Sequence, residues 1–205
     1  VEECVNRSGL GFAFAKNFHP AMRYVGPVRS ELGVPTTFNF LGPLSHPGAV
    51  ERQVVGVSDP VMAPRVAGVL AQRGSKRSLV VHGGDRLDEI TITDSTRIYE
   101  VRDGIVIGER DFEPESIGIR RVNRAEIQGG SAQQNVEIMH RIFAGEDEGP
   151  RADIVALNAA AGLLVADLVE DLETGVEAAR SVMRNGQAAK KVDDVLELSR
   201  ELASR

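Results

Sequence analysis

Two patterns of apolar and polar positions divide the chain near residue 150. Before it, short apolar runs rich in β-branched residues are broken by glycine and proline. After it, apolar residues recur at the 3.6-residue spacing of helices. The early runs predict strands at 11–15, 53–57, 78–81, 89–92, 96–101 and 105–107. Asp103-Gly104, between the last two, supplies the positive φ angles that a tight hairpin needs. Pro20 can open a helix at its first turn, with Pro27 kinking it and Gly33 as its stop. A second helix fits 62–72, with Val66, Val69 and Leu70 on one side. It joins two apolar strands, and strand–helix–strand order argues for parallel pairing. The loop-forming run Gly145-Glu146-Asp147-Glu148-Gly149-Pro150 precedes helices at 152–167, 172–185 and 188–203. In the last of these Ala188, Val192, Val195, Leu196 and Leu202 keep helical spacing, and Lys190, Lys191, Asp193 and Asp194 form a solvated face. The fold class that follows is α/β: a mixed, largely parallel sheet flanked by helices, with a C-terminal helical segment.

Composition narrows the function more than the fold. The 205 residues are 42% hydrophobic and 26% charged, the make-up of an ordinary globular protein. A net charge of −6 gives no general attraction to nucleic-acid phosphates. Seven Phe, two Tyr and no Trp leave little for a base-stacking surface. Cys4, the only cysteine, forms neither an internal disulfide nor a zinc site by itself. No run approaches the ~18 apolar residues of a membrane span. The chain starts at Val1 without a signal-peptide pattern, as a small domain or a piece of a longer chain would.

Two segments carry candidate chemistry. In the first, residues 18–47, Met22, Gly26 and Arg29 fall at i, i+4 and i+7 and share one helix face. Gly26 leaves room for something to approach that face. Arg29 offers a planar, two-pronged donor suited to a carboxylate, although by spacing alone the commoner role is that of a surface arginine. His19 precedes the helix, where capping is the usual role. Residues 38–44 (FNFLGPL) are apolar for a connection, and such a loop is expected to bury its side chains under a pocket or at an interface. Asn39 would then need partners for its amide. The second segment, VVHGGDRLDE at 80–89, ends an apolar strand at His82 and adds a glycine turn with Asp85, Asp88 and Glu89. Ligands of open α/β sheets gather beyond the carboxyl ends of strands. Adjacent carboxylates supply the hard oxygens that Mg²⁺ prefers. Neighbours in a strand point to opposite faces, so Asp88 and Glu89 share a site only if the turn rotates one of them. A solvated acidic turn is the competing reading. Gly83-Gly84 lacks the spacing of a dinucleotide fingerprint, and His46, His82 and His140 show no metal-ligand spacing.

The run HPAMRYVGPVRSELGVPTTFNFLGPLSHP, continued by VVHGGDRLDEIT, GGSAQQN at 129–135 and ALNAAAGLLVAD at 156–167, closely resembles the anthranilate phosphoribosyltransferase family. The resemblance implies transfer of a phosphoribosyl group from phosphoribosyl pyrophosphate to anthranilate, in tryptophan biosynthesis, with Mg²⁺ as cofactor. It implies a cytoplasmic homodimer that uses small-molecule substrates, with no nucleic acid and no membrane as partner. Carried over by position, Arg29 corresponds to the arginine that holds the anthranilate carboxylate. His19 corresponds to a histidine on the acceptor's entry path, and Met22 to a residue on the same helix face. Asp88 and Glu89 correspond to the acidic pair that binds Mg²⁺ with pyrophosphate. No acid–base residue is expected, since a neutral aromatic amine is already a nucleophile and a loose transition state chiefly needs charge stabilised on the leaving group. His46 stands where the family usually has Asn, a departure that bears on local loop shape. The family's Gly-Thr-Gly-Gly-Asp and Lys-His-Gly-Asn-Arg segments do not occur in these 205 residues. The expectation is therefore the C-terminal portion of one α/β domain, strand-rich over 1–150 and helical over 151–205. The N-terminal helical domain would be absent, the sheet incomplete on its N-terminal side, and the stretch inactive alone. Two other readings share the architecture: a non-catalytic nucleic-acid-binding relative and a pyrimidine nucleoside phosphorylase.

Overall fold

The computed structural model describes residues 1–20, 22–34, 36 and 38–204, without the side chains of Lys16, Met22, Arg29, Ser30 and Phe38. The chain divides into two units, Val1–Ala49 with Lys190–Arg205, and Val50–Ala189. The first begins with α1 (Glu2–Ser8), α2 (Ala15–Phe18), α3 (Met22–Leu32) and α4 (Phe38–Leu44). Helix α3 continues through Pro27 and stops at Gly33, whose φ of 61° is the left-handed conformation expected of that glycine. The strand expected at 11–15 is not formed: residues 11–14 are irregular and Ala15 starts α2. Among the described residues no neighbouring strand completes a ladder there. Phe12 instead stacks on Phe14 at 6.1 Å and stays exposed. The apolar connection 38–44 is a helix rather than a loop. The Asn39 side chain accepts the Thr36 N–H at 3.0 Å while the Asn39 N–H bonds the Thr36 carbonyl, a reciprocal N-terminal arrangement. Nor is the segment buried as expected, because Leu41 is exposed.

The second unit is built on one open sheet. Strand β1 (Arg52–Gly56), helix α5 (Met62–Gln72) and strand β2 (Arg77–Gly83) follow in turn. β1 and β2 pair in parallel, with Val54 opposite Leu79 and Val55 opposite Val80, as the strand–helix–strand order implies. β3 (Thr96–Arg102) runs antiparallel to β2, and β4 (Ile105–Phe112) antiparallel to β3. The sheet order is β1-β2-β3-β4, so it is mixed, with parallel pairing confined to β1–β2 among the described strands. Asp103 and Gly104 join β3 to β4 with φ of 48° and 77°, the paired positive values of a hairpin turn.

Helices cover both faces. The chain continues through α6 (Arg124–Ile127), α7 (Ala132–Phe143), α8 (Pro150–Val165) and α9 (Leu172–Arg184). α5 packs on β2, β3 and β4, and α8 on β1 and β2. Every residue of β2 is buried, as a strand sandwiched between two layers must be. Leu79 and Val81 point into the core shared with Leu157, Ala160 and Ala161 of α8. The alternate residue Val80 faces the other layer. In α5 the buried stripe is Ala63, Val66, Ala67 and Leu70, whereas the expected Val69 is exposed.

The strand expected at 89–92 is absent. Ile90, Thr91 and Ile92 are all fully buried, and their backbone groups bond to side chains and to the Val122 N–H instead of a strand. Helix α10 (Gln187–Ala203) contributes most of its length to the first unit. There Arg7 grips Glu201 with two bonds and Lys191 bonds the Ser8 carbonyl. Its buried residue is Leu198, and the expected Leu196 is exposed. Among the described residues no helix is long and apolar enough to cross a membrane.

Candidate functional site

Parallel pairing places the carboxyl ends of β1 and β2 at one edge of the sheet, and the acidic turn emerges there. The two strand ends are locked together. The Val57 N–H bonds the Val81 carbonyl at 2.9 Å, and buried His82 donates from Nδ1 to the Val57 carbonyl at 2.8 Å. His82 is therefore a structural tie. The turn after β2 folds back on itself, with Gly83 N–H on the Leu87 carbonyl, Arg86 N–H on the Gly83 carbonyl and Gly84 N–H on the Ser95 carbonyl. Asp85 braces it from within: one carboxylate oxygen accepts the Leu87 N–H, the other the hydroxyls of Thr93 (2.6 Å) and Thr91 (3.3 Å). Asp85 is thus committed to the loop's own structure.

Asp88 and Glu89, by contrast, are both exposed, and among the described residues neither carboxylate has a hydrogen bond or ion pair. Glu89 is exposed as a whole residue, but partial desolvation of its carboxyl, and then the neighbouring Asp88 charge, raise its pKa above the ordinary glutamate value. Two adjacent acids without an ion pair among the described residues form a locally electronegative point that suits a cation. Among the described residues no group of three or more His, Cys, Asp and Glu is placed to hold a metal. Mg²⁺ asks for less, since it usually takes one or two carboxylates and completes its octahedron with waters and substrate phosphate. The donor set at 88–89 fits that demand. The backbone here is irregular, so the strict alternation of a strand does not force the two side chains apart.

Gly56 explains how the pair is approached so closely by the sheet. It is the last residue of β1, and a methyl group on it would overlap the backbone carbonyl of Asp88. A second support comes from α8, where Asn158 bonds both backbone groups of Ile90, the residue after Glu89. Sequence reasoning named neither Gly56 nor Asn158 as a site residue. A polar residue inside the otherwise apolar run ALNAAAGLL was the available signal for the second.

His19, Met22 and Arg29 lie in the first unit. His19 is half-buried and closes α2, its N–H bonding the Ala15 carbonyl at 2.9 Å. Met22 and Arg29 are in α3, and their side chains fall outside the described residues. A methyl group on Gly26 would meet nothing within 4 Å, so the helix face beside it is open among the described residues.

A layered α/β unit with an acidic loop beyond the carboxyl ends of its parallel strands has the architecture in which open α/β sheets gather their ligands. The family model described as glycosyl transferase family, a/b domain, matches residues 1–189, and the chain belongs to this family. It is similar to the anthranilate phosphoribosyltransferase of Chloroflexus aggregans, with 42% identity over 200 residues, 98% of this chain and 59% of that protein. Among solved structures it is similar to anthranilate phosphoribosyltransferase from Thermus thermophilus, with a TM-score of 0.90 and 39% identity over 98% of this chain and 59% of that one. The fold is also that of the Saccharomyces cerevisiae enzyme in complex with PRPP and Mg, with a TM-score of 0.77 and 24% identity over 87% and 51% of the two chains. The chain spans 58–59% of the length of the curated relatives it matches.

Proposed function

We propose that this chain forms part of an anthranilate phosphoribosyltransferase. In that reaction the anthranilate nitrogen forms a bond to C1 of the ribose while the C1–O bond to pyrophosphate breaks. The bonding pair leaves with pyrophosphate, and the proton shed by the nitrogen passes to solvent. The support is family membership together with relatives of that name at 42% and 39% identity. Within the molecule, the observation that carries the reading is the Asp88–Glu89 pair beyond the carboxyl end of β2, unpaired among the described residues. In this proposal the two carboxylates hold Mg²⁺, which when bound offsets negative charge growing on the pyrophosphate oxygens. Arg29 binds the anthranilate carboxylate, Met22 lines the same helix face, and His19 borders the acceptor's path. Residues 1–205 supply the C-terminal part of the α/β domain, in a cytoplasmic homodimer.

The test is a coupled assay on the intact protein, following loss of anthranilate and release of pyrophosphate with and without Mg²⁺. Turnover that depends on both substrates and on the metal is the expected result. Arg29→Ala should raise the KM for anthranilate roughly ten- to hundredfold, the worth of a charged hydrogen bond, and leave that for phosphoribosyl pyrophosphate nearly unchanged. Equal effects on both substrates would remove Arg29 from its role. Phosphorolysis of thymidine without anthranilate turnover would overturn the function.

A further inference from the structure

We propose that Asn158 is a positioning residue for Asp88 and Glu89, its side-chain amide setting the backbone path from which both carboxylates project. The proposal rests on the reading of those two residues as metal ligands and adds to it the part that holds them in place.

Asn158 stands in the interior of α8, between Leu157 and Ala159, where asparagine is disfavoured because its side chain competes for backbone hydrogen bonds. Its partners account for it. Nδ2 donates to the Ile154 carbonyl at 3.0 Å, one turn back, and to the Ile90 carbonyl at 2.9 Å. Oδ1 accepts the Ile90 N–H at 2.9 Å. Both amide hydrogens and the oxygen are used, and exchanging O for N would set donor against donor at Ile90, so the orientation is unambiguous. A residue exchanging both its N–H and its C=O with one partner is the pattern of an antiparallel ladder. Asn158 therefore takes the place of a neighbouring strand for a segment that has the sequence of a strand but not its structure. Ile90 is fully buried, so without that amide two backbone groups lose their partners in the interior. The segment that presents the acids is held on three sides: Gly56 abuts Asp88, Asn158 clamps Ile90, and Asp85 ties Thr91 and Thr93. Of these only Asn158 reaches from a helix to the residue adjoining Glu89.

The experiment measures Mn²⁺ binding to the intact protein, from the electron paramagnetic resonance signal of the free ion, alongside the melting temperature and amide exchange at Ile90. Asn158→Ala should weaken Mn²⁺ binding about 10- to 100-fold, the usual cost of losing a group that orients metal ligands, and speed exchange at Ile90. Asn158→Asp keeps the size and the acceptor for the Ile90 N–H but loses both donors. It should weaken binding about tenfold, and it serves if the alanine variant does not fold. Gly175→Ala is the control. It crowds Ala160 at the α8–α9 contact, lowering stability without touching Ile90, and should leave Mn²⁺ binding within about twofold of wild type. Wild-type Mn²⁺ affinity in the Asn158 variants, or equal weakening by Gly175→Ala, overturns the positioning role. If Asp88→Asn and Glu89→Gln both bind Mn²⁺ as wild type does, the reading of the two acids as ligands falls, and the proposal with it.

Discussion

Gly56→Ala tests the frame of the site by adding one methyl group. That carbon would lie inside the contact distance of the Asp88 carbonyl oxygen and carbon, and 3.1 Å from its Cα. The obstacle is backbone, so no rotamer change relieves it. β1 is not free to retreat, because Gly56 lies opposite Val81 in the ladder and the next N–H bonds the Val81 carbonyl. The loop must therefore yield, and Asp88 is displaced by roughly an ångström, the scale at which misplacement of a reacting group costs about 10²-fold in rate. The overpacking itself costs about 1–3 kcal/mol, and at ~2–4 °C per kcal/mol for a chain of this size the melting temperature falls by about 2–12 °C. Calorimetry gives the loss of stability, and a Mg²⁺ titration of activity gives the effect on the site. Gly68→Ala in α5 is the matched control. A methyl there meets nothing within 4 Å, so it should raise stability by about 0.4–1 kcal/mol and leave the Mg²⁺ dependence alone. Wild-type melting and wild-type Mg²⁺ dependence for Gly56→Ala would refute the close approach of β1 to Asp88, and with it the stated support of the acidic turn.

Three further predictions concern charge and capping. The Glu89 pKa is raised in the fold, first by partial burial and then by Asp88, so its ionisation opposes folding as pH rises through the carboxylate range. Glu89→Gln should raise the melting temperature slightly at neutral pH without Mg²⁺, by no more than about 0.5 kcal/mol in stability, with the gain vanishing in acid. Asp167 is shifted the opposite way, its pKa lowered by Arg77 and then Arg52, so its contribution is present above the ordinary aspartate value and lost as pH falls through the folded one. Asp167→Asn, which tolerates the φ of 58° at that position, should melt lower than wild type at neutral pH and converge with it in acid; a pH-independent difference would argue against the charge. Ser131 caps α7 in a reciprocal box with Gln134, and Ser131→Ala should cost about 1 kcal/mol in denaturant unfolding.

Local chemistry was legible where one rule acted alone. Asp103-Gly104 needs two positive φ values that few dipeptides supply, and it forms the hairpin. The bounds of α5 follow from its apolar rhythm, yet Val69 is exposed, since the stripe that meets the sheet runs through alanines 63 and 67. The rhythm gave no expectation of α7, although Ile138, Ile142 and Phe143 keep helical spacing there and meet the core. There the cap Ser131-x-x-Gln134 was the readable mark. It failed in the other direction at 11–15, because the aromatic content of Phe12 and Phe14 describes a surface that suits a sheet and does not supply the neighbouring strand.

The acidic turn shows why a site can be half readable. Asp88 and Glu89 stand out in sequence because two adjacent acids after an apolar strand and a glycine turn are chemically conspicuous. What holds them does not, since Gly56 lies 32 positions before Asp88 and Asn158 lies 68 positions after Ile90. Each of those supports breaks a local rule: a strand ends on a residue without a side chain, and an asparagine sits inside an alanine-rich helix. Both exceptions have their reason in a backbone elsewhere in the chain, the carbonyl of Asp88 for one and the amide and carbonyl of Ile90 for the other. The segment 89–92 completes the argument. It has strand composition, but its hydrogen bonds run to Asn158, Thr96 and Val122, so it leaves the ladder and carries the acids past the strand end. Local propensity and tertiary pairing part company at that point, and the departure from strand geometry lifts from the two neighbouring carboxylates the alternation that would point them to opposite faces.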